Sequence, residues 1–409
     1  MLIAPPCYPH HHIGAISSLL PCLLPSCASP TMPFLPLPPL LETSIRHSVN
    51  PQLKSAYNSV VEAERRAAGN DTDIMHARVV GYLMIALHDF RETLKDSAIE
   101  RVSEVRLLLD AKPVTAVYEL GLWYRTRLLR AFQKSKGPLS PSSQHSSRPS
   151  FTTPEDMLKD TLAGSGKDHR SAKRRALARD GFRCMLSGKF DGTSVEDLPI
   201  LEPQAQTIGM VTTNCCQILS ESTLQDVDPE NPDRDDKREY AAAVLAVLDS
   251  LRLGAVVRDA LKQNGAHHLS NVLTMSLQLH DLFDKFNLWL EGTGRPHEYK
   301  ICVSNDAWLV DSGITTRTVR FRVHAEDVDE ETLPLPDPAL LALYATCARV
   351  VNMSGAAEYM HIYDSDADDM QVLAENGSSN GVLLEKMRSV AVTSREFSCQ
   401  DSLYCVTSD

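Results

Sequence analysis

The run Ala266-His267-His268-Leu269-Ser270-Asn271-Val272-Leu273-Thr274-Met275, continued by His280-Asp281-Leu282-Phe283-Asp284, decides how this chain reads. Val272–Met275 is short and apolar, the pattern of a buried strand. Leu277, Leu279, Leu282, Phe283 and Phe286 then recur at helical spacing and predict a helix that carries His280. Asn271 stands at the turn before the strand, where a side-chain amide can tie a loop. Eight residues separate Asn271 from His280, which leaves room for one strand and one or two helical turns. A neutral imidazole on such a helix is the commonest protein ligand for a metal ion.

Upstream and downstream blocks extend the pattern. Arg179-Asp180-Gly181-Phe182-Arg183-Cys184-Met185-Leu186-Ser187-Gly188 predicts a helix end followed by a strand over 183–186. Cys215-Cys216-Gln217-Ile218-Leu219-Ser220-Glu221-Ser222-Thr223 lies at the end of a strand predicted over 209–219. Leu288-Trp289-Leu290-Glu291 and Tyr299 form a later hairpin. Taken in order with 268–284, these blocks resemble the HNH nuclease domains common in fungal proteins, which have a ββα-metal fold. The resemblance covers about 125 residues and does not reach residues 1–153. It implies metal-dependent hydrolysis of phosphodiesters, with DNA as substrate and a divalent ion (Mg, Mn or Zn) as cofactor. By the same resemblance His280 is the metal ligand, Asn271 the loop tether, and Gln217 occupies the position of the catalytic base.

That last position departs from the family. Phosphodiester hydrolysis needs a general base to activate water and a cation to stabilise the developing charge. The family has histidine where this chain has Gln217, and an amide has no useful basicity. Cys216 serves as a base only as a thiolate, which requires a lowered pKa. His267 and His268 are close in sequence to Asn271 but sit on the other strand of the expected hairpin. Loss of a general base costs a factor of ~10²–10⁴ in rate. Weak or lost HNH endonuclease activity is therefore one expectation, and a catalytically inactive HNH scaffold that binds nucleic acid or a protein is the alternative.

The chain has 409 residues, 43% hydrophobic and 23% charged, with a net charge of −12. Such an acidic balance excludes a surface that grips nucleic acid everywhere but leaves room for one basic face. Lys173, Arg174, Arg175, Arg179 and Arg183 supply that face along a helix predicted from about 154 to 179, and such side chains contact phosphates irrespective of sequence. The ten cysteines include no C-x-x-C pair, which argues against a four-cysteine zinc ribbon and against a secreted disulfide framework. A reduced intracellular compartment, cytoplasmic or nuclear, is expected.

The whole reads as an α+β protein. Residues 1–41 carry ten of the 24 prolines and no charged side chain, and are expected to be a disordered leader. Prolines 21 and 25 interrupt the Leu19–Leu24 region, so no membrane helix is expected. Residues 42–133 form a helical domain. Its apolar stripe (Ile74, Met75, Val79, Leu83, Leu87, Phe90, Leu94) either packs into the domain's own core or presents a face to a protein partner. The Ser/Pro-rich residues 134–153 are a linker. Residues 154–362 are the HNH-like domain, in which a ββα unit is joined by extra strands and helices. Residues 363–409, acidic and Ser-rich, are expected to be disordered.

Overall fold

Helix α1 (Pro51–Arg66) begins where the Asn50 carboxamide accepts from the backbone N–H groups of Gln52 and Leu53, with proline at the first helical position. Both devices suit a helix start, because the first-turn N–H groups have no partner within the helix. Helix α2 (Asp71–Asp89) is also capped by an asparagine, Asn70, whose side chain accepts from the Asp73 N–H, with Asp71 and Asp73 in its first turn. Helix α3 (Thr115–Trp123) runs into a π-helical stretch, Tyr124–Leu129. The other long helices are α4 (His169–Arg179), α5 (Gly254–Leu261), α6 (Leu277–Asp284) and α7 (Pro338–Ser354). These elements come from a computed structural model that describes residues 35–94, 114–132, 169–219, 244–261, 267–325 and 328–360, together with 153, 158 and 159.

The strands are short. β1 (Phe190–Asp191) pairs in parallel with β2 (Met210–Val211). β3 (Thr213–Gln217) pairs antiparallel with β4 (Val272–Ser276), with Cys216 opposite Leu273 and Gln217 opposite Val272. β5 (Leu288–Gly292), β6 (Glu298–Val303) and β7 (Thr318–Arg320) form an antiparallel sheet in that order. The chain is thus a mixture of helices and small, mainly antiparallel sheets, an α+β arrangement.

One hydrophobic core runs from the N-terminal helices to the C-terminal one. Helix α7 is its centre and packs against α2 on one side and β5 on the other. Leu83 and Leu87 of α2, Leu290 of β5 and Leu343 and Val350 of α7 all lie in it. Arg349 of α7 reaches both Asp89 (2.9 Å) and Glu291 (3.6 Å) at the rim. Met75, Val79, Leu83 and Leu87 of the α2 stripe therefore lie within the molecule's own core. The linker expected at 134–153 falls outside the described residues except for Thr153, and the helices before it share this core with the elements after it.

Three expectations are corrected. Residues 35–41 are not disordered: Leu37 is buried, its N–H donates to Glu64, and the hydroxyls of Tyr57 and Tyr82 donate to the carbonyls of Pro38, Leu35 and Pro36. Prolines 36, 38 and 39 have no N–H to satisfy, so carbonyl acceptance is enough to dock the segment. The strand expected at 183–186 is a turn with a single bridge, Arg183 to Phe190. Gly188, at φ 70°, closes that turn with its N–H on the Cys184 carbonyl. The strand expected at 209–219 is divided at Thr212 between two sheets. There the buried Asp191 carboxylate accepts from both the N–H (3.1 Å) and the hydroxyl (2.7 Å) of Thr213 and pins the crossover. The segment before residue 35, the acidic stretch 226–236 and the residues from 361 lie outside the described residues. Among the described residues no helix is long and apolar enough to cross a membrane, and Cys184, Cys215, Cys216, Cys302 and Cys347 are not in disulfides.

Candidate metal centre

β3, β4 and α6 form an antiparallel pair followed at once by a helix. The Ser276 hydroxyl accepts from the N–H of Leu279 and starts α6 directly at the end of β4. The Leu277 N–H donates to the Thr212 carbonyl (3.1 Å) and holds the helix start to the strand crossover. Leu279, Leu282, Phe283 and Phe286 are buried, as a helix packed on a sheet requires, whereas Leu277 is 53% exposed and anchors nothing. The side of the hairpin toward α6 carries Cys216, Leu273 and Met275, and the side toward α4 carries Cys215 and Val272, the alternation proper to strands.

On that inner side three ligand-type atoms converge. The Cys216 thiol, the His280 imidazole and the Asp284 carboxylate lie within 4.8 Å of one another. His280 and Asp284 are four residues apart, hence on one face of α6, and their Nε2 and Oδ2 are 3.3 Å apart. Cys216 is completely buried and His280 nearly so, while the Asp284 side chain is 25% exposed. The site thus opens to solvent on the carboxylate side. A thiol, an imidazole and a carboxylate are the donor types that bind zinc, and three protein ligands leave a fourth position free. The same set suits magnesium poorly, because magnesium prefers oxygen ligands alone.

Helix α7 supports this face. Tyr344 is fully buried, its ring stacks on Phe283 at 3.8 Å between centroids, and its hydroxyl donates to the Phe283 carbonyl. Burial holds the Tyr344 phenol well above its ordinary range, with the neighbouring Cys216 adding to the effect. The phenol therefore stays neutral and donates.

Asn271 is wholly buried and joins the two strands at their open end. Its carboxamide oxygen accepts from the Leu219 N–H (2.8 Å), its amide nitrogen donates to the Leu219 carbonyl (3.0 Å), and its own carbonyl accepts from Ile218 (2.8 Å). Gln217 lies at the end of β3, where its amide nitrogen is 3.4 Å from Nδ1 of His267. Strand neighbours point to opposite faces, so Cys216 rather than Gln217 meets His280. His268 caps the turn that leads into β4, its ring nitrogen contacting the Ser270 hydroxyl (2.6 Å) and N–H.

The basic run is corrected most. Arg179 is 0% exposed, so it is not part of a phosphate-facing surface. It grips Asp180 through two contacts, at 2.6 and 2.9 Å, and donates to the carbonyls of Leu269, Pro334 and Val272. Those five contacts use all five guanidinium N–H donors. Lys173 donates to the Thr213 carbonyl, Arg175 to the Thr332 carbonyl, and Arg174 is half-buried. Lys173 and Arg179 thus join α4 to β3 and β4. Arg183 stands near Arg322 and His324; its guanidinium lies 4.0 Å above the Phe190 ring and donates to Gln204. Burial and the nearby Arg322 hold Arg183 below its ordinary range. Burial, then Arg322 and Arg183, hold the His324 imidazole below its own.

Sequence reading missed Cys216 and Asp284 as partners of His280, and Arg179 as an anchor. The four-residue spacing of His280 and Asp284 was a usable signal for the second. No protein-family model matches the chain, and neither a curated protein nor a solved structure matches it.

Proposed function

We propose that the chain carries an HNH-type, metal-dependent phosphodiesterase centre that acts on DNA, with Cys216, His280 and Asp284 as the residues that hold a divalent ion. The convergence of Cys216 with His280 and Asp284, from segments far apart in sequence, carries this reading. The donor set fits zinc. Held by Cys216, His280 and Asp284, the ion would supply Lewis-acid chemistry to the phosphodiester. Asn271 holds the end of β3 against the start of β4, which keeps Cys216 in register with α6. Arg183 and Arg322 attract the phosphate backbone.

The test is cobalt substitution. Wild type loaded with Co²⁺ is expected to show a thiolate-to-cobalt absorption that Cys216→Ser lacks, and the zinc-loaded protein is expected to nick supercoiled plasmid. Absence of any stoichiometric metal binding would end this reading. An inactive HNH scaffold remains the alternative, favoured by the Gln217 amide in the base position. In that case zinc raises the melting temperature by mass action with no nicking.

DNA contact is tested separately. Arg183→Ala is expected to weaken DNA binding across unrelated sequences and to reduce the slope of log K against log salt by about 1. An unchanged slope would remove Arg183 from the interface.

A further inference from the structure

We propose that Arg183, Arg322 and His324 form a binding site for a phosphate-type oxyanion, and that His324 takes up a proton from solvent when the anion binds. The assignment rests on Arg183 and Arg322 as phosphate contacts, as read above, and deepens that reading with a third member and a dependence on pH. It needs no ion at Cys216, His280 and Asp284.

Two segments bring these side chains together. Arg183 follows the tight turn at Gly181 and Phe182, both at positive φ (65° and 60°). Its guanidinium lies over the Phe190 ring and donates to Gln204, while its Nε is buried without a hydrogen-bond acceptor. The N–H of His324 donates to the Arg179 carbonyl (2.7 Å), which sets the segment from Arg322 to His324 beside that turn. A Cβ at Gly181 would stand 2.9 Å from the Cβ of His324, so glycine is what lets the two segments approach. Arg322 Nε lies 3.5 Å from Nε2 of His324, and both of these side chains reach solvent.

Like charges gathered this way repel unless an opposite charge lies among them. Among the described residues Arg183 and Arg322 form no ion pair. The groups that act on His324 are Arg322, Arg183 and Asp180, and both oxygens of Asp180 are spent on Arg179. The contact from Arg322 to His324 requires an unprotonated Nε2, because an imidazolium nitrogen donates and cannot accept. Burial and the two arginines favour that neutral ring in the free site. An oxyanion reverses the preference. Its oxygens accept from the guanidinium groups and from the imidazolium together, as charge-assisted bonds, and its charge favours the protonated ring. Anion affinity therefore rises as pH falls, by roughly tenfold per pH unit at most for one proton.

The experiment uses the full-length protein and reads binding, not nicking. Sulfate is the first probe, because a phosphate monoester itself titrates near pH ~6. The His324 ring signal in the proton NMR spectrum, assigned by its loss in His324→Gln, is expected to titrate with a midpoint that sulfate raises by roughly 1 unit. Arg322→Gln is expected to raise the midpoint without sulfate and to shrink the sulfate response. A midpoint that sulfate does not move, or a response that Arg322→Gln leaves intact, overturns the site. The second probe is a fluorescent DNA duplex at constant ionic strength. Wild type is expected to gain more affinity between pH 7.5 and 5.5 than His324→Gln does, by about tenfold. If sulfate moves the midpoint but the duplex gains equally in both proteins, the site binds a free oxyanion, and DNA is not its source.

Discussion

Arg179→Met is expected to destabilise the protein by about 3–5 kcal/mol. The guanidinium is completely buried, and all of its donors are engaged. A methionine of similar length fills much of the volume but donates nothing. Asp180, with a side chain only 2% exposed, is then left as a buried carboxylate without its cation, and three backbone carbonyls each lose one donor. Breaking a buried pair from one side leaves an uncompensated charge, which is the costly case. Arg179→Lys is expected to fall in between, because one ammonium cannot reproduce a planar five-donor fork. Urea denaturation measures the loss, and at a few degrees per kcal/mol the melting temperature drops by about 10 °C. A loss under about 1 kcal/mol would show that the contacts to Leu269 and Val272 do not hold the loop. Arg179→Met, Asp180→Leu should recover part of the loss, since removing both charges leaves no orphan.

The same residue marks where sequence reading stopped. Periodicity gave the strand-to-helix passage at 272–284, because apolar residues at helical spacing are a local property. Asn271 was legible as a turn residue for the same reason. A row of lysines and arginines reads as a solvated basic face, since nothing local distinguishes a cation bound for water from one bound for carbonyls a hundred residues away. The partners of Arg179 at 269, 272 and 334 are set by tertiary packing alone. The division of the 209–219 run at Thr212 is likewise decided by Asp191, on another element. The choice between Cys216 and Gln217 depended on strand phase: a shift of one residue exchanges the faces, and the adjacent Cys215 and Cys216 gave no polar alternation by which to set it. Cys216 pairs with Leu273 and shares its inward face, and that register places a thiol, not an amide, beside His280.

His280→Ala is expected to remove the ion and, with it, plasmid nicking. Lewis-acid stabilisation is worth several kcal/mol at the transition state, and each 1.36 kcal/mol is a factor of ten, so the rate should fall roughly 10²–10⁴-fold. The truncation also deletes a buried imidazole beside Asp284 and opens space against Cys216, so some loss of stability accompanies it. The two effects are separable, because the wild-type melting temperature should rise with zinc while that of His280→Ala should not respond, whatever its starting value. Asp284→Asn keeps the shape of the carboxylate and a weaker oxygen donor, and Asp284 is the most exposed of the three, so it should weaken zinc binding less than His280→Ala does. Nicking by His280→Ala at the wild-type rate would dissociate catalysis from this cluster, even if the cluster binds zinc. A flat zinc response in wild type would remove the cluster as a metal centre altogether. The order of the two substitutions is what ties the chemistry to α6: if Asp284→Asn proved the worse, the carboxylate would be the principal ligand and the imidazole its hydrogen-bond partner, an arrangement in which Nε2 at 3.3 Å from Oδ2 orients the oxygen and does not share the ion.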